Sequence, residues 1–215
     1  MTATPDDDAP LDPAAMLALA GAQKHRIETL DLGNVVGMLV AWGIAWGVGF
    51  LALWAGVDPD APVTLPVGVG ATVFGVLVAA GIAVSIVLGT RMSRGMRGSA
   101  RFAGMVYGWS WTGGTMGAWV IGVGLMRAGM SSDLALLFFP AVYSLVVGLL
   151  YLAAAAIWPN RPQLILGVWM IVVGSLATFA GAPLNLPIMA VAGGGGFLVG
   201  ALVMAVSLRR SARRG

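Results

Sequence analysis

The chain has 215 residues, of which 59% are hydrophobic and 10% are charged, and its mean hydropathy is +0.90. Soluble globular domains carry about 25% charged residues, so this composition excludes an ordinary soluble domain and predicts a protein of the lipid bilayer. There is no cysteine, which excludes disulfides, thiolate nucleophiles and cysteine metal sites. The net charge is only +3, and in a membrane protein the positions of the charges are more informative than their sum.

The N-terminal part of the chain is more polar than the rest. Residues 1–12 include three consecutive aspartates and are predicted to form a disordered acidic tail. Asp12-Pro13 is typical of a helix N-cap followed by a first-turn proline, so an amphipathic cytoplasmic helix is predicted over 13–32. That helix either lies on the inner membrane surface or is solvated in front of the membrane. The first apolar stretch begins near Val35 and is too long for a cleavable signal peptide.

Six apolar stretches follow, and each is long enough for a transmembrane helix, which needs about 20 apolar residues. They lie at 35–56, 65–89, 102–125, 134–157, 164–181 and 187–207, and every charged residue falls outside them. The predicted fold class is therefore all-α, an integral membrane bundle of about six helices over 33–208. A basic cytoplasmic tail is predicted at 209–215.

The basic residues predict the orientation of this bundle. Cytoplasmic flanks of membrane proteins carry an excess of lysine and arginine. With six spans, one side receives every basic residue except Arg127, namely Lys24, Arg26, Arg91, Arg94, Arg97, Arg101, Arg161, Arg209, Arg210, Arg213 and Arg214. Both termini are therefore predicted to be cytoplasmic.

Aromatic residues with helical spacing form a candidate pocket. Trp42 and Trp46 share one helix face, and Tyr107 and Trp111 share another, because each pair is spaced i, i+4. Aromatic faces can hold a cation or a flat apolar molecule, whereas packing or interfacial anchoring is the commoner role, and both interpretations remain open. The candidate pocket residues are Trp42, Trp46, Tyr107, Ser110, Trp111 and Tyr143.

Four consecutive glycines lie inside the sixth stretch, at Gly193, Gly194, Gly195 and Gly196. Glycine weakens a helix by about 1 kcal/mol per residue relative to alanine, so a helix break that offers carbonyl groups to an ion or substrate is one interpretation. The other is tight helix packing, because Gly196 and Gly200 form a GxxxG pair, as do Gly43 with Gly47 and Gly113 with Gly117. Close packing is the favoured interpretation.

The loop after the second stretch contains four arginines, Arg91, Arg94, Arg97 and Arg101. They are candidates for binding anionic lipid headgroups or a phosphorylated partner, although membrane orientation alone also explains them. Nucleic acid is not a predicted partner, because the basic loop is short and lacks interleaved aromatic residues.

The spans contain no ionisable acid or base, and this argues against classical proton coupling. The one histidine, His25, precedes the first span, so no intramembrane hydrolase, catalytic residue, metal site or cofactor is predicted. Two functions remain. The first is a small transport or channel component for an apolar or weakly polar solute. The second is a non-transporting accessory, scaffold or stress-related protein that docks a cytoplasmic or membrane partner. The predicted partners are membrane lipids and a second copy of the chain or another membrane subunit.

Three segments carry a resemblance to known sequences. They are Tyr107-Gly108-Trp109-Ser110-Trp111, Gly167-Val168-Trp169, and 189–198 with its four glycines. In these segments the chain resembles a group of short bacterial six-span membrane proteins, over most of its length from about residue 14. The resemblance implies a multipass bundle in a bacterial cytoplasmic (inner) membrane and no particular activity.

Overall fold

The computed structural model describes residues 13–93 and 98–212, and these residues are mostly helical, with no β-strand among them. The long helices are α1 (Pro13–Val57), α2 (Val67–Met92), α3 (Gly98–Arg127), α4 (Ser132–Ile157) and α5 (Arg161–Ala177). A 3-10 turn, Thr178–Ala180, is followed by α6 (Asn185–Ile188), a π-helical segment (Met189–Gly194) and α7 (Gly195–Ala212). The last three run on without interruption and are called the α6–α7 rod. The predicted all-α class is confirmed.

In the described part of the chain, five segments are long and apolar enough to cross a membrane, and each overlaps one of the six predicted stretches. They are Leu32–Val57, Val67–Met92, Ser132–Ile157, Arg161–Ala180 and Asn185–Arg210. The remaining stretch, the third at 102–125 within α3, is different. Helix α3 has 30 residues, but its centre is rich in glycine, serine, threonine and tryptophan, which lower its mean hydropathy. The fold is thus compatible with a membrane protein, and the crossing of α3 stays a prediction.

Helix α1 is a single helix of 45 residues. At about 1.5 Å per residue it is roughly 68 Å long, about twice the thickness of the hydrocarbon core of a bilayer. The predicted boundary between the amphipathic helix and the first span, at 32/33, falls inside this helix and coincides with no helix end. The predicted tail at 1–12 and residues 213–215 lie outside the described residues.

The helices pack in the spatial order α2, α1, α6–α7 rod, α5, α4, α3. Helices α2 and α3 occupy the periphery, and α1, the rod and α5 enclose the core. The largest fully buried side chains are Phe197, Met170, Leu186 and Met189, together with the polar Asn185 and Ser144. Four of these six belong to the α6–α7 rod, so the rod is the centre of the bundle.

Neighbouring helices run antiparallel, as the contacts of the glycines show. Gly37 faces Leu88 near one end of the α1–α2 pair, whereas Gly56 faces Val67 at the other. The same antiparallel orientation holds for α3 with α4, for α4 with α5, and for the rod with both α1 and α5. As a result, five of the arginines that the structure describes lie at one end of the bundle, called the arginine end: Arg91, Arg101, Arg161, Arg209 and Arg210. The opposite end carries Asp58, Asp60, Arg127 and Asp133.

A buried proline shapes the middle of the bundle. Pro140 lies inside α4 and has no N–H, so the carbonyl of Leu136 lacks its intrahelical donor. The side chain of Asn185 supplies one, because its Nδ2 donates to Leu136 O at 2.7 Å. This hydrogen bond joins α4 to the start of the α6–α7 rod. The Oδ1 of Asn185 is buried without a partner among the described residues.

Candidate functional site

Eight aromatic rings form a continuous chain across the bundle, called the aromatic ladder. In order from α4 and α3 through α7 to α1 and α2, the centroid distances are Trp158–Tyr107 5.4 Å, Tyr107–Trp111 6.2 Å, Trp111–Tyr151 5.8 Å, Tyr151–Phe197 6.2 Å, Phe197–Trp46 5.3 Å, Trp46–Phe50 5.4 Å and Phe50–Phe74 5.1 Å. All but the last are edge-to-face contacts, which contribute about 0.5–1.5 kcal/mol each beyond buried area. The ladder therefore links five helices.

Glycines make room for the central rings of the ladder. A Cβ atom at Gly193 would lie 3.0 Å from Cε3 of Trp46, so the indole packs directly on the backbone of the π segment. Phe197, four residues later and 1% exposed, contacts the same indole edge-to-face at 5.3 Å. The local sequence thus places a small residue and a ring on one face of the rod, and Trp46 fills the space between them.

The six candidate pocket residues do not converge on one point. Trp46, Tyr107 and Trp111 belong to the aromatic ladder, where their rings contact other rings. The other three have separate partners: Trp42 Nε1 donates to Ser85 Oγ at 2.9 Å, Ser110 Oγ donates to the Val106 carbonyl of its own helix at 2.9 Å, and Tyr143 stacks on Phe139 at 6.2 Å. The aromatic groups at the ladder thus pack among themselves rather than facing a common cavity.

The four-glycine segment is helical throughout. Gly193 and Gly194 end the π segment, and Gly195 and Gly196 begin α7. A Cβ atom at Gly194 would lie 2.6 Å from Gly47 N and 3.0 Å from Gly43 O, so the rod and α1 touch backbone to backbone. One predicted GxxxG pair, Gly43 with Gly47, thus lies at a helix contact.

The adjoining part of the rod is tied to α5 by a tryptophan. Trp169 Nε1 donates to the Ala192 carbonyl at 2.9 Å. A Cβ atom at Gly196 would lie 2.6 Å from that same nitrogen. Gly196 therefore allows the indole to reach the π segment, and its partner in the motif, Gly200, packs against Leu166.

The third GxxxG pair is uncovered. Apart from adjacent residues and the backbone of α3 itself, no described atom lies within 4 Å of a Cβ position at Gly113 or Gly117, or at Gly124 further along α3. These glycines lie on the side of α3 opposite the residues that pack on α4, among them the buried Ala118 and Gly122. The same sequence pattern is therefore a helix contact in α1 and an open face in α3.

Two of the shallow grooves on the surface of the described helices are mainly apolar. The larger, of about 590 Å³, runs along α4 and the end of α5 and is apolar apart from two hydroxyl groups. Its lining includes Leu134, Phe138, Val142, Ser175 and Thr178. The smaller, of about 280 Å³, is lined by α5 side chains around Trp169. No candidate pocket residue lines either groove.

The candidate lipid site is described in part. Arg91 is exposed in the last turn of α2, and Arg101 is exposed in the first turn of α3. Arg94 and Arg97 lie outside the described residues. The structure adds Arg161, at the first position of α5, to the same end of the bundle.

Comparisons with protein-family models, curated proteins and solved structures give no match. The resemblance to short bacterial membrane proteins therefore stays a prediction. The functional argument rests on the geometry of this chain.

Sequence reasoning missed several residues that the structure makes central. Phe50, Phe74, Tyr151, Trp158 and Phe197 complete the aromatic ladder, although only Phe197, directly after the glycine segment, carried a local signal. Asn185 was also missed. The sequence signal is an asparagine at the edge of one apolar stretch together with a proline inside another. The proline leaves a backbone carbonyl without its intrahelical donor, and the asparagine amide can supply one.

Proposed function

We propose that this chain is a non-transporting accessory or scaffold protein of a cytoplasmic membrane, and that it assembles with a second copy through α3. The observation that supports the first part is the aromatic ladder. Trp46 and Phe197 are buried in the centre of the bundle, and the rings on either side of them are in contact. A solute path between α1, the rod and α4 would require these rings to separate.

The proposal on assembly rests on a contrast between the two peripheral helices. Helix α2 has a mean hydropathy of 2.5 over its best window, the highest of the five spans, with 6% of that window buried, as expected of a helix that faces lipid. Helix α3 is equally peripheral, but it falls short of the hydropathy of a spanning helix. Such a helix is better covered by protein than by lipid tails.

The outward face of α3 also has the composition of a helix contact. It carries Gly113, Gly117 and Gly124, with Trp109 70% exposed beside them. Small residues at this spacing let two membrane helices approach closely. A second copy is the simplest partner, because a two-fold pair brings the same glycine face of each chain together.

Single-cysteine crosslinking tests the assembly in native membranes, since the chain has no cysteine of its own. Val120→Cys lies on the outward face of α3 and is 55% exposed, and the control Val76→Cys lies on α2 and is 62% exposed. On oxidation, the α3 variant is expected to give a disulfide-linked dimer and the α2 variant is not. Adding Gly113→Leu should abolish the crosslink. Equal crosslinking of both variants, or of neither, contradicts the proposal.

The charge distribution supports an orientation with both termini in the cytoplasm. The arginine end carries the C-terminal end of α7 beside the N-terminal half of α1. A membrane-impermeant maleimide is expected to label Asp60→Cys in intact cells, and Ser93→Cys only after permeabilisation. The reverse pattern, or labelling of both in intact cells, contradicts this orientation.

A transport function is the second candidate, and the groove on α4 and α5 is the observation that favours it. Its apolar lining with Ser175 and Thr178 suits an apolar or weakly polar solute. Under this hypothesis, Ser175→Leu with Thr178→Leu lowers uptake or efflux because it removes the hydroxyl groups of the groove. The double change Trp46→Ala and Trp111→Ala also alters uptake or efflux, because it removes two rings of the ladder that hold the helices together. No transport by the wild-type chain in vesicles removes this candidate, and transport that both double variants leave intact removes the groove and the ladder as its path.

A further inference from the structure

Near the arginine end, a pair of aromatic rings joins α3 to the turn before α5, and each of these two segments carries an exposed arginine. Tyr107 of α3 and Trp158 at the end of α4 are in edge contact, with centroids 5.4 Å apart. This contact joins the beginning of α3 to the turn between α4 and α5. Arg101 lies six residues before Tyr107, about 9 Å along the helix, and Arg161 lies three residues after Trp158, so the ring pair holds the two arginine-bearing segments side by side.

The charges around the Tyr107–Trp158 ring pair favour the binding of an anion. The N-terminal ends of α3 and α5, which carry the positive ends of their helix dipoles, both lie at the arginine end. Arg101 and Arg161 are both exposed. The acidic side chains that the structure describes, Asp58, Asp60 and Asp133, all lie at the opposite end, so none of them neutralises these arginines.

The surroundings indicate that this anion belongs to a lipid. Tryptophan and tyrosine rings favour the boundary between headgroups and acyl chains. From Arg101 the surface of α3 continues into Phe102 and Met105, which are both more than half exposed and apolar. A guanidinium binds a phosphate through two parallel hydrogen bonds, and a phospholipid would place its phosphate by the arginines and its acyl chains along the apolar face.

We propose that Arg101 and Arg161 bind the phosphate of an anionic phospholipid, with the Tyr107–Trp158 ring pair against its glycerol region. This site combines Arg101 of the predicted lipid loop with an arginine from a different turn of the chain. It is independent of the α3 dimer, because the glycines of α3 do not contribute to it, and of the scaffold function, because the buried rings Trp46 and Phe197 that support that function lie elsewhere in the ladder.

Native mass spectrometry of the full chain in detergent, titrated with phosphatidylglycerol or phosphatidylcholine, tests the proposal. Retention of phosphatidylglycerol is expected to exceed that of phosphatidylcholine. An arginine near an anionic lipid surface contributes about 5-fold in affinity, so the double variant Arg101→Gln with Arg161→Gln should lose about 30-fold. The control Arg127→Gln, which removes the described arginine at the opposite end, should lose nothing.

Three outcomes overturn the proposal. The first is equal retention of the two lipids by the wild-type chain. The second is a double variant that binds phosphatidylglycerol as the wild-type chain does, with size-exclusion profiles showing both to be folded. The third is displacement of the lipid by inorganic phosphate alone at millimolar concentration, which would identify a site for a soluble anion.

Discussion

Gly194 lies where the π segment and α1 touch backbone to backbone, and this makes Gly194→Ala the most informative single substitution. The added Cβ atom would lie 2.6 Å from Gly47 N, 2.9 Å from Gly47 Cα and 3.0 Å from Gly43 O. Carbon atoms in good contact are about 3.5–4.0 Å apart. All three neighbours are backbone atoms, so no side-chain rotation can relieve the overlap.

The expected cost follows from this geometry. To accept the methyl group, α1 and the rod must move apart by about 1 Å, and a gap of that size loses about a quarter to a half of the contact energy along the seam. Overpacking of this kind costs about 1–3 kcal/mol. The neighbouring variant Gly195→Ala has nothing within 4 Å of its Cβ atom and so carries no such cost. Since both variants replace a helical glycine by alanine, the gain in helix propensity largely cancels between them.

Reversible unfolding in mixed detergent micelles with increasing dodecyl sulfate, followed by tryptophan fluorescence, measures the difference. The free energy of unfolding should be about 1–3 kcal/mol lower for Gly194→Ala than for Gly195→Ala. Gly47→Ala should resemble the control, because its Cβ atom would have a nearest neighbour at 3.9 Å. Identical midpoints for all three variants would refute the close contact between α1 and the rod.

Two further predictions use the same unfolding assay. Asn185→Leu leaves the Leu136 carbonyl unpaired and should lower the free energy of unfolding by about 1–3 kcal/mol. Adding Pro140→Ala returns an N–H to that carbonyl and should recover part of the loss, whereas strictly additive effects would contradict the pairing. Phe197→Ala removes the most buried ring of the ladder and should cost about 3–5 kcal/mol. Phe179→Ala, at a ring that is 87% exposed, should cost far less, and equal losses would argue against the ladder as the core.

The composition and the hydropathy pattern alone determined that this chain is all-α and where most of its helices lie. The predicted stretch at 65–89 corresponds to Val67–Met92, and that at 134–157 corresponds to Ser132–Ile157. This is possible because an apolar run in lipid must satisfy its own backbone hydrogen bonds, which a helix does within the run. The third stretch shows the limit, since α3 forms a long helix but lacks the hydropathy of the other five.

Only the tertiary structure decided which faces of these helices meet. Gly43 with Gly47 and Gly113 with Gly117 have the same spacing, but the first pair packs against Gly194 and the second faces outward. Likewise, Trp46 and Trp111 belong to one ladder only because Tyr151 and Phe197, distant in sequence, lie between them. The pattern along a helix sets which residues share a face. What that face contacts depends on how the other helices are arranged around it, and this is a property of the whole bundle.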